Sequence, residues 1–485
     1  VLAMVDLDGK NWPVILSQGS DFYMQPAFSP DSQKIAWVEW DHPNMPWDGA
    51  RLMLGQFEPG GESLAEIRKL DGDENTPTFQ PAFSPDGKYL AYLVNRGEAD
   101  QLVLFDLAAG EKTILVDGKF LLQPAWAQGE RVMAWSSDSN AIIYLAIDEA
   151  SIFLYCVDVA SGKSSKIDTD EFTQLEQPAV SSAGGIALIA QSSASSPRVL
   201  FIYQNERHVI ARSRSDSISP EDLSQARHMS WKSSDGVTVH GVYYPPANRL
   251  FTSAGLPPVI VYVHGGPTSQ VYLGFNADSA FFTSRGYGFF EVNYRGSTGY
   301  GRAYREALKG NWGPLDLQDT IEGAQALVEM GLADPKKLVI KGGSAGGFTV
   351  LNALTHHPGF FKAGICSYGV SNLFSFGQDT HKFEIHYNDS LIGKLPEAAQ
   401  KYHDWSAIFR ADQIRDPLAL FQGSADKVVP PDQTESMVVR LKENKIPYVY
   451  RLYEGEGHGF RKQETLIDFY HTVETFLLQQ VIYSI

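Results

Sequence analysis

The sequence has 485 residues, which is more than one hydrophobic core accommodates, so we expect at least two domains. Its 43% hydrophobic and 20% charged residues are those of an ordinary globular protein. The formal net charge of −17 argues against nucleic acid and anionic membrane surfaces as partners.

The chain contains only two cysteines, Cys156 and Cys366, and each lies in an apolar run that resembles a strand. We interpret both as buried free thiols, because an isolated pair in a long chain shows no spacing of a metal site. So few cysteines suit a reducing compartment, and the sequence has no apolar stretch of about 18 residues. We therefore expect a cytoplasmic protein without a transmembrane helix.

The first half of the chain contains an internal repeat. The heptapeptide QPAFSPD at residues 25–31 returns at residues 80–86, and weaker copies begin at Gln123 and Gln177. The copies are 55, 43 and 54 residues apart. Periods of about 40 to 50 residues with strand content are typical of β-propeller blades.

One repeat shows the pattern of a complete blade. Residues 84–87, Ser-Pro-Asp-Gly, predict a tight turn, and strand-like runs follow at 88–94, 102–107 and 112–116. Residues 1–9 match the middle of this unit, so we expect the chain to open on the third strand of a blade, with further residues upstream. The prediction for residues 1–215 is an incomplete β-propeller of four recognisable repeats and a partial blade.

The pattern changes after a polar linker near residues 212–217. Continuous apolar runs predict strands that are buried on both faces, and helical patterns lie between them. The runs are at 258–263, 288–292, 338–340, 363–366 and 417–421, and the helical patterns include 315–330 and 432–443. This alternation predicts a mostly parallel, doubly wound sheet with helices on both faces over residues 216–485.

Ser344 stands in the segment GGSAGG, residues 342–347, between a predicted strand and a helical run. That context is typical of a nucleophile elbow in an α/β-hydrolase domain. Gly342 and Gly346 suit it, because a Cβ at either position would clash where strand and helix pack closely. A glycine-rich turn with an incidental serine is the alternative, and the flanking elements favour the nucleophile.

A serine nucleophile needs a base and an acid that orients the base. Asp426 follows the predicted strand at 418–422, and His458 lies between glycines after the strand at 448–453. The chain order Ser, Asp, His is that of α/β-hydrolases. Asp412 and Asp416 are weaker candidates for the acid, because both precede the strand.

Acyl transfer also needs donors for the developing oxyanion. The backbone N–H of Ala345 is one candidate, and the segment HGGP at residues 264–267 offers the other. We assign the second donor to Gly266, with Gly265 as the alternative. His264 is interpreted as an ordered loop residue rather than a catalytic one.

No metal site or cofactor is predicted, because the histidines at 356–357 and 381–386 lack ligand spacing with acidic partners. Phe374 and Phe376 are candidates for an apolar substrate pocket, although core packing explains them equally well.

Five motifs together resemble the prolyl oligopeptidase family of serine peptidases, in particular its acylaminoacyl-peptidase-like branch, and the resemblance covers essentially the whole chain. They are HGGP at 264–267, NYRGSTGYG at 293–301, GGSAGG at 342–347, DKVVP at 426–430 and GEGHGF at 455–460. The resemblance implies a propeller that caps the hydrolase domain, an active site in the cavity between them, and a triad of Ser344, Asp426 and His458.

The chain also departs from the family pattern. His264 stands where the dipeptidyl-peptidase branch has a tyrosine, so a tyrosine hydroxyl in the oxyanion hole is not expected. We locate no counterpart of that branch's paired propeller glutamates. The chain has fewer repeats than is usual in the family, so we expect the propeller to be incomplete.

We therefore predict a serine peptidase that hydrolyses short peptides through an acyl-enzyme, of the acylaminoacyl or oligopeptidase type. The expected partners are short peptides, with neither nucleic acid nor membrane, and a homo-oligomer remains open. A carboxylesterase is the alternative within hydrolases. A non-catalytic propeller binding protein is the alternative from another class, and the complete set of site motifs argues against it.

Overall fold

The structure is a computed structural model that describes residues 1–61, 63–215, 218–252 and 254–484, with the side chains of residues 378 and 379 left aside. The chain divides into two compact units. One comprises Val1–Ser215 with Thr298–Ala303, and the other comprises Asp216–Ser297 with Tyr304–Ile485. Among the described residues, no helix combines the length and the apolar composition that crossing a bilayer requires.

The first unit consists of small antiparallel sheets. Over its described residues these are one two-stranded sheet, β1 to β2, and four four-stranded sheets, β3 to β6, β7 to β10, β11 to β14 and β15 to β18. The strands are β1 Leu2–Met4, β2 Val14–Ser17, β3 Phe22–Phe28, β4 Lys34–Trp40, β5 Arg51–Phe57, β6 Leu64–Asp71, β7 Thr78–Phe83, β8 Tyr89–Asn95, β9 Asp100–Asp106, β10 Lys112–Lys119, β11 Met133–Trp135, β12 Ala141–Asp148, β13 Ser151–Asp158, β14 Ser164–Ile167, β15 Gln174–Val180, β16 Ile186–Ser192, β17 Ser195–Tyr203 and β18 Glu206–Arg212. The predicted propeller architecture is confirmed.

The repeated glutamine has a structural explanation. Gln25, Gln80 and Gln177 have φ of 54°, 47° and 57°, and each lies at a bulge in the first strand of its sheet. The Gln80 N–H donates to Gln25 Oε1 at 2.7 Å, and Gln80 Nε2 donates to the Met133 carbonyl at 2.8 Å. The repeat motif therefore encodes a bulge whose side chain ties one blade to the next.

The weaker copy at Gln123 differs from the others. Residues 121–125 lie outside any strand, and the blade that follows begins only at β11. The carboxylate of Asp100 accepts hydrogen bonds from the Leu121 and Leu122 N–H groups at 2.6 and 2.9 Å, which holds this segment as a loop.

The predicted turn at residues 84–87 is confirmed. The Gly87 N–H donates to the Ser84 carbonyl at 2.9 Å, and Ser84 Oγ donates to Asp86 Oδ1 at 2.7 Å. The Tyr89 N–H then donates to Ser84 Oγ at 3.0 Å, so the serine closes the turn and starts β8.

Both cysteines are free thiols. Cys366 is buried, as expected, but Cys156 is only half-buried. The expectation is wrong for Cys156 because its strand, β13, pairs with β14, where its partner Ser165 is exposed.

The second unit contains an eight-stranded sheet over its described residues, in the order β19-β20-β22-β21-β23-β24-β25-β26. β20 pairs antiparallel with both β19 and β22, and every further pair of neighbours, from β22 and β21 to β25 and β26, is parallel. The strands are β19 Arg227–Lys232, β20 Thr238–Tyr244, β21 Val259–Val263, β22 Gly288–Asn293, β23 Leu338–Gly343, β24 Ala363–Ser367, β25 Leu418–Gly423 and β26 Tyr448–Tyr453. The predicted mostly parallel sheet is confirmed.

Every residue of β22, β24 and β25 is buried, which indicates that the helices of this unit cover the sheet. The α-helices are α1 Ala277–Thr283, α2 Arg302–Glu306, α3 Pro314–Glu329, α4 Ala345–His356, α5 Leu373–Asp379, α6 Tyr387–Leu391, α7 Ala399–Trp405, α8 Pro431–Glu443 and α9 Gln463–Leu477. A 3₁₀-helix spans Ala407–Gln413, and α9 continues as a π-turn over Leu478–Ile482.

A buried ion pair fixes the loop after β22 to helix α3. Arg295 is 4% exposed, and its guanidinium donates to Asp319 Oδ1 at 2.7 Å and also contacts Asp235. The Arg295 N–H donates to Asp319 Oδ2 at 2.7 Å. Asp319 therefore satisfies both the side chain and the backbone of Arg295.

Replacing Asp319 with alanine is expected to lower the free energy of unfolding of this unit by about 3 kcal/mol, because the buried guanidinium loses its main partner. Chemical denaturation followed by tryptophan fluorescence measures the change. The control is Glu443→Ala, which removes an exposed pair with Arg440 and should cost less than about 0.5 kcal/mol. Equal small effects of the two substitutions would contradict the structural role of Asp319.

Candidate functional site

Ser344 lies at a sharp turn between β23 and α4. Its φ of 56° and ψ of −125° are unusual for a residue with a side chain, and its N–H donates to the Ser367 carbonyl at 3.1 Å. Strained backbone of this kind is found at functional positions when the surroundings enforce it. The turn leaves Ser344 half-exposed at the end of a buried strand.

Two glycines allow this turn. A Cβ on Gly346 would overlap the carbonyl oxygen of Val263 and come within 3.0 Å of the His264 oxygen. A Cβ on Gly342 would lie 2.5 Å from the Gly346 oxygen. The predicted reason for both glycines is therefore confirmed: helix α4 approaches β21 too closely for side chains at these positions.

Asp426 and His458 form a hydrogen-bonded pair. His458 Nδ1 lies 2.8 Å from Asp426 Oδ2, and an ionised carboxylate only accepts, so the imidazole donates. The other carboxylate oxygen, Oδ1, accepts from the N–H groups of Val428 and Val429 at 2.9 and 3.0 Å. The Asp426 side chain is fully buried, which leaves it one orientation.

The two other aspartates bond elsewhere. Asp416 Oδ2 accepts from the Gly359 N–H at 2.9 Å, and Asp412 Oδ2 accepts from Gln413 Nε2 at 2.7 Å. Of the three aspartates considered from the sequence, Asp426 is the one paired with His458.

The sheet explains why Ser344, Asp426 and His458 share one edge. They follow β23, β25 and β26, and parallel neighbouring strands end on the same side of a sheet. The Nδ1 of His458 is engaged by Asp426, so Nε2 remains for another partner.

Tyr368, which follows the intervening strand β24, completes this edge. Its ring centroid lies 4.6 Å from that of His458 and 5.4 Å from that of Phe460. The same ring occupies the space beside Gly343, where an added Cβ would meet it at 2.9 Å. Tyr368 thus contacts both the residue before Ser344 and the ring of His458.

Tyr368 was not among the site residues predicted from the sequence. Its φ of 39° is uncommon for a bulky residue, and its N–H donates to the Phe421 carbonyl at 2.8 Å. Its place directly after a buried strand that neighbours the strand of Ser344 is the signal that could have revealed it.

The loop HGGP lies against the serine. A Cβ on Gly265 would be 3.4 Å from Ser344 Cβ, and Gly266 has a φ of 123°, which favours glycine. The hydroxyl of Tyr294 lies 3.1 Å from the carbonyl oxygens of both His264 and Pro267, so one buried side chain spans the loop. Ala345 is the first residue of α4, where backbone N–H groups lack partners within the helix.

His264, the first residue of this loop, contacts the side chains of Tyr294 and Ser297. Its ring stacks on Tyr294 with centroids 4.3 Å apart, and its Nε2 lies 2.9 Å from Ser297 Oγ. Burial lowers the pKa of His264 to about 4, so the ring is neutral near pH 7. The motif NYRGS therefore supplies the tyrosine and the serine that contact the loop and its histidine, and its arginine ties the motif to α3.

Phe374 and Phe376 lie on α5. The Phe374 ring packs 5.4 Å from Tyr402 and 6.1 Å from Phe409, and Phe376 is 8% exposed. These ring contacts account for the packing of Phe374, and Phe376 is buried; a part of either side chain in a substrate pocket stays a prediction.

A cavity of about 670 Å³ lies away from the serine. Pro258, Tyr287 and Lys337 line it, and these residues precede β21, β22 and β23. It therefore lies at the amino-terminal edge of the sheet, whereas Ser344 and His458 lie at the carboxyl edge. In the described part of the chain, no group of three or more His, Cys, Asp or Glu residues could hold a metal ion.

Gly346→Ala is expected to lower the free energy of unfolding by about 3 kcal/mol or to prevent folding, because the new methyl group overlaps the backbone of β21. Equilibrium denaturation measures the loss. Gly97→Ala is the control, since nothing lies within 4 Å of a Cβ at Gly97. A Gly346→Ala protein as stable as this control would refute the close approach of α4 and β21.

Comparison with known proteins agrees with both units. The family model described as "Prolyl oligopeptidase family" matches residues 273–482, and the one described as "TolB beta propeller domain" matches residues 1–224. The dipeptidyl aminopeptidase BIII of Pseudoxanthomonas mexicana is 26% identical over 81% of this chain, which spans 58% of that relative's length. The mouse acylamino-acid-releasing enzyme is 24% identical over 96% of this chain and 68% of its own length.

A solved structure is similar over almost the entire chain. It is described as a Mycobacterium tuberculosis puromycin-hydrolyzing peptidase, and it is 33% identical with a TM-score of 0.93. The likeness covers 99% of this chain and 73% of that one. Since identity and fold agree over that length, the chain belongs to the prolyl oligopeptidase family of serine peptidases.

Proposed function

We propose that the chain is a serine peptidase that hydrolyses short peptides through Ser344, His458 and Asp426. The observation that carries the proposal is the 2.8 Å bond between His458 Nδ1 and Asp426 Oδ2, at the sheet edge where Ser344 occupies a strained turn. A serine needs such a base, and the base needs such a carboxylate, to act as a nucleophile at neutral pH.

The first half of the reaction forms the acyl-enzyme. Ser344 Oγ attacks the carbonyl carbon of the scissile bond while His458 Nε2 takes the hydroxyl proton. Asp426 holds the imidazole in the tautomer that accepts at Nε2 and stabilises its charged form. The imidazolium then gives its proton to the leaving amine, and the C–N bond breaks.

The developing oxyanion needs donors that are in place before the reaction. We assign this role to the backbone N–H groups of Ala345 and Gly266. The position of Ala345 at the start of α4 and the contact of the HGGP loop with Ser344 support the assignment. In the second half, a water molecule loses a proton to His458 and attacks the acyl carbon; the bond from that carbon to Ser344 Oγ then breaks, and the imidazolium returns the proton to Oγ, which releases the acid product and restores the enzyme.

The relatives support a peptidase rather than a carboxylesterase, because the names they carry are those of peptidases that release terminal residues. Puromycin, which the description of the similar structure names, belongs in the first substrate panel. We also propose a domain boundary between residues 215 and 216 and a cytoplasmic location.

Ser344→Ala and His458→Ala are expected to lower kcat by about 10⁴-fold or more, and Asp426→Asn by about 10⁴-fold. The assay is the release of a fluorophore from peptide amides, with the matching ester measured in parallel. The control is His471→Ala, which removes an exposed histidine and should change kcat by less than about 2-fold. A folded His458→Ala protein with near-normal turnover would refute the triad, and hydrolysis of the ester alone would favour the esterase.

Tyr368→Ala is expected to lower kcat by about 10- to 100-fold with a smaller change in KM, because the ring that packs on His458 is lost and the imidazole is misplaced. Tyr368→Phe keeps the ring and should retain kcat within about 3-fold. Similar losses for both variants would mean that the hydroxyl, and not the ring contact, carries the effect.

A further inference from the structure

The loop that carries His458 is rich in glycine and needs an anchor. It runs from the end of β26 to the start of α9, and within it Gly455 and Gly459 have φ of 66° and 103°. Glycine has more backbone freedom than any other residue, so a loop of this composition does not hold an imidazole in place by itself. Glu456 lies between these glycines and is 3% exposed, and the proposed reaction does not use it.

The carboxylate of Glu456 closes the far end of this loop. Its Oε1 accepts from the Lys462 N–H at 2.9 Å, and its Oε2 accepts from the Arg461 N–H at 3.1 Å. Both donors directly precede the first residue of α9, where the helix dipole favours a negative charge. One side chain therefore joins the two ends of the segment 456–462, which has His458 inside it.

Hydrogen bonds keep this carboxylate charged. Burial raises the pKa of Glu456, but the donors at Lys462, Thr465 and Arg461 together outweigh burial, so the pKa lies below its ordinary value. An ionised carboxylate accepts at both oxygens, which is the form that closes the loop. The closing bonds are therefore present throughout the neutral pH range.

The backbone of Glu456 joins the loop to the turn that carries Asp426. Its carbonyl accepts at 2.8 Å from the N–H of Ala425, which precedes Asp426 in the chain. A Cβ on Gly423 would lie 2.4 Å from the same carbonyl oxygen, so the two segments pack backbone against backbone. Glu456 thus contacts the Asp426 turn through its backbone and the start of α9 through its side chain.

We propose that Glu456 is a positioning residue of the triad, which fixes the loop of His458 so that the imidazole meets Asp426 on one side and Ser344 on the other. The inference rests on the proposed peptidase function and adds a residue that acts through His458. A displacement of about 1 Å at a reacting group lowers a rate by about 100-fold, so the anchor of this loop affects turnover. The effect falls on kcat rather than on KM, because the role concerns the proton acceptor and not the bound peptide.

The first experiment compares Glu456→Ala with Glu456→Gln in the hydrolysis of peptide amides. Alanine removes the closing bonds and is expected to lower kcat by about 100-fold, with KM within about 3-fold of the wild-type value. Glutamine keeps an acceptor oxygen and is expected to retain kcat within about 5-fold. The control is Glu454→Ala, which removes an exposed glutamate of the same loop and should change kcat by less than about 2-fold.

Labelling of Ser344 by a fluorophosphonate gives a readout that does not depend on peptide binding. It needs the same proton acceptor, so the labelling rate should fall by about 30- to 100-fold in Glu456→Ala and by less than about 5-fold in Glu456→Gln. Chemical denaturation of the same variants shows whether each is folded at the assay temperature. A role confined to holding α9 would lower the stability and leave kcat and labelling of the folded protein unchanged.

The second experiment removes one donor instead of the carboxylate. Lys462 has a φ of −70°, which proline adopts, so Lys462→Pro replaces the N–H that donates to Glu456 with a ring carbon. Lys462→Ala is the matched control, because it loses the side chain and keeps the N–H. Proline is expected to lower kcat by about 10-fold, and alanine to leave it within about 2-fold of the wild-type value.

The outcomes separate this inference from the proposed function. Normal kcat and labelling of a folded Glu456→Ala protein would overturn the positioning role and leave the peptidase intact. Equal losses for Glu456→Ala and Glu456→Gln would assign the effect to charge and also overturn it. If Glu456→Ala does not fold, equal kcat values for Lys462→Pro and Lys462→Ala overturn the inference. A wild-type chain that neither cleaves peptides nor is labelled would overturn the proposed function itself.

Discussion

The close approach of helix α4 to strand β21 is the constraint on which the site depends. It is permitted by the absence of side chains at Gly342 and Gly346, and it forces Ser344 into a backbone conformation that residues with side chains seldom adopt. The serine is therefore half-buried at the edge where neighbouring parallel strands end. The energetic cost of the strained turn is offset by the packing of the surrounding sheet, in which every residue of β22, β24 and β25 is buried.

Buried polar contacts then fix the parts around the serine. Tyr294 spans the HGGP loop and stacks on His264, and the next residue, Arg295, is tied to α3 through Asp319. Each contact satisfies a group that would be costly to bury alone. The consequence is a loop whose backbone N–H groups are held in place before a substrate arrives, which is what electrostatic stabilisation of an oxyanion requires.

The sequence predicted the elements that rest on local patterns. The five apolar runs became β21 to β25 with ends shifted by one to three residues, and the serine, aspartate and histidine each follow a strand. The role of Gly342 and Gly346 could also be predicted, since it depends only on how closely the adjacent strand and helix pack. The spacing of the repeats predicted the four-stranded blades, although the copy that begins at Gln123 lies in a loop rather than in a strand.

What the sequence could not predict depends on contacts between distant segments. The contact of Tyr368 with His458 follows only when β24 is placed between β23 and β25. The exposure of Cys156 depends on which strand pairs with β13. Neither has a local signature, because a tyrosine after a strand or a cysteine within one is ordinary in any sequence.

The central claim is that the strained elbow and the Asp426–His458 pair make Ser344 the reactive nucleophile of the chain. The most direct measurement is to treat the folded protein with a fluorophosphonate and to locate the adduct by peptide mass spectrometry. One adduct is expected, on Ser344, which forms rapidly at neutral pH and does not form when the protein is unfolded first. An adduct on another serine, or no adduct on the folded protein, would contradict it.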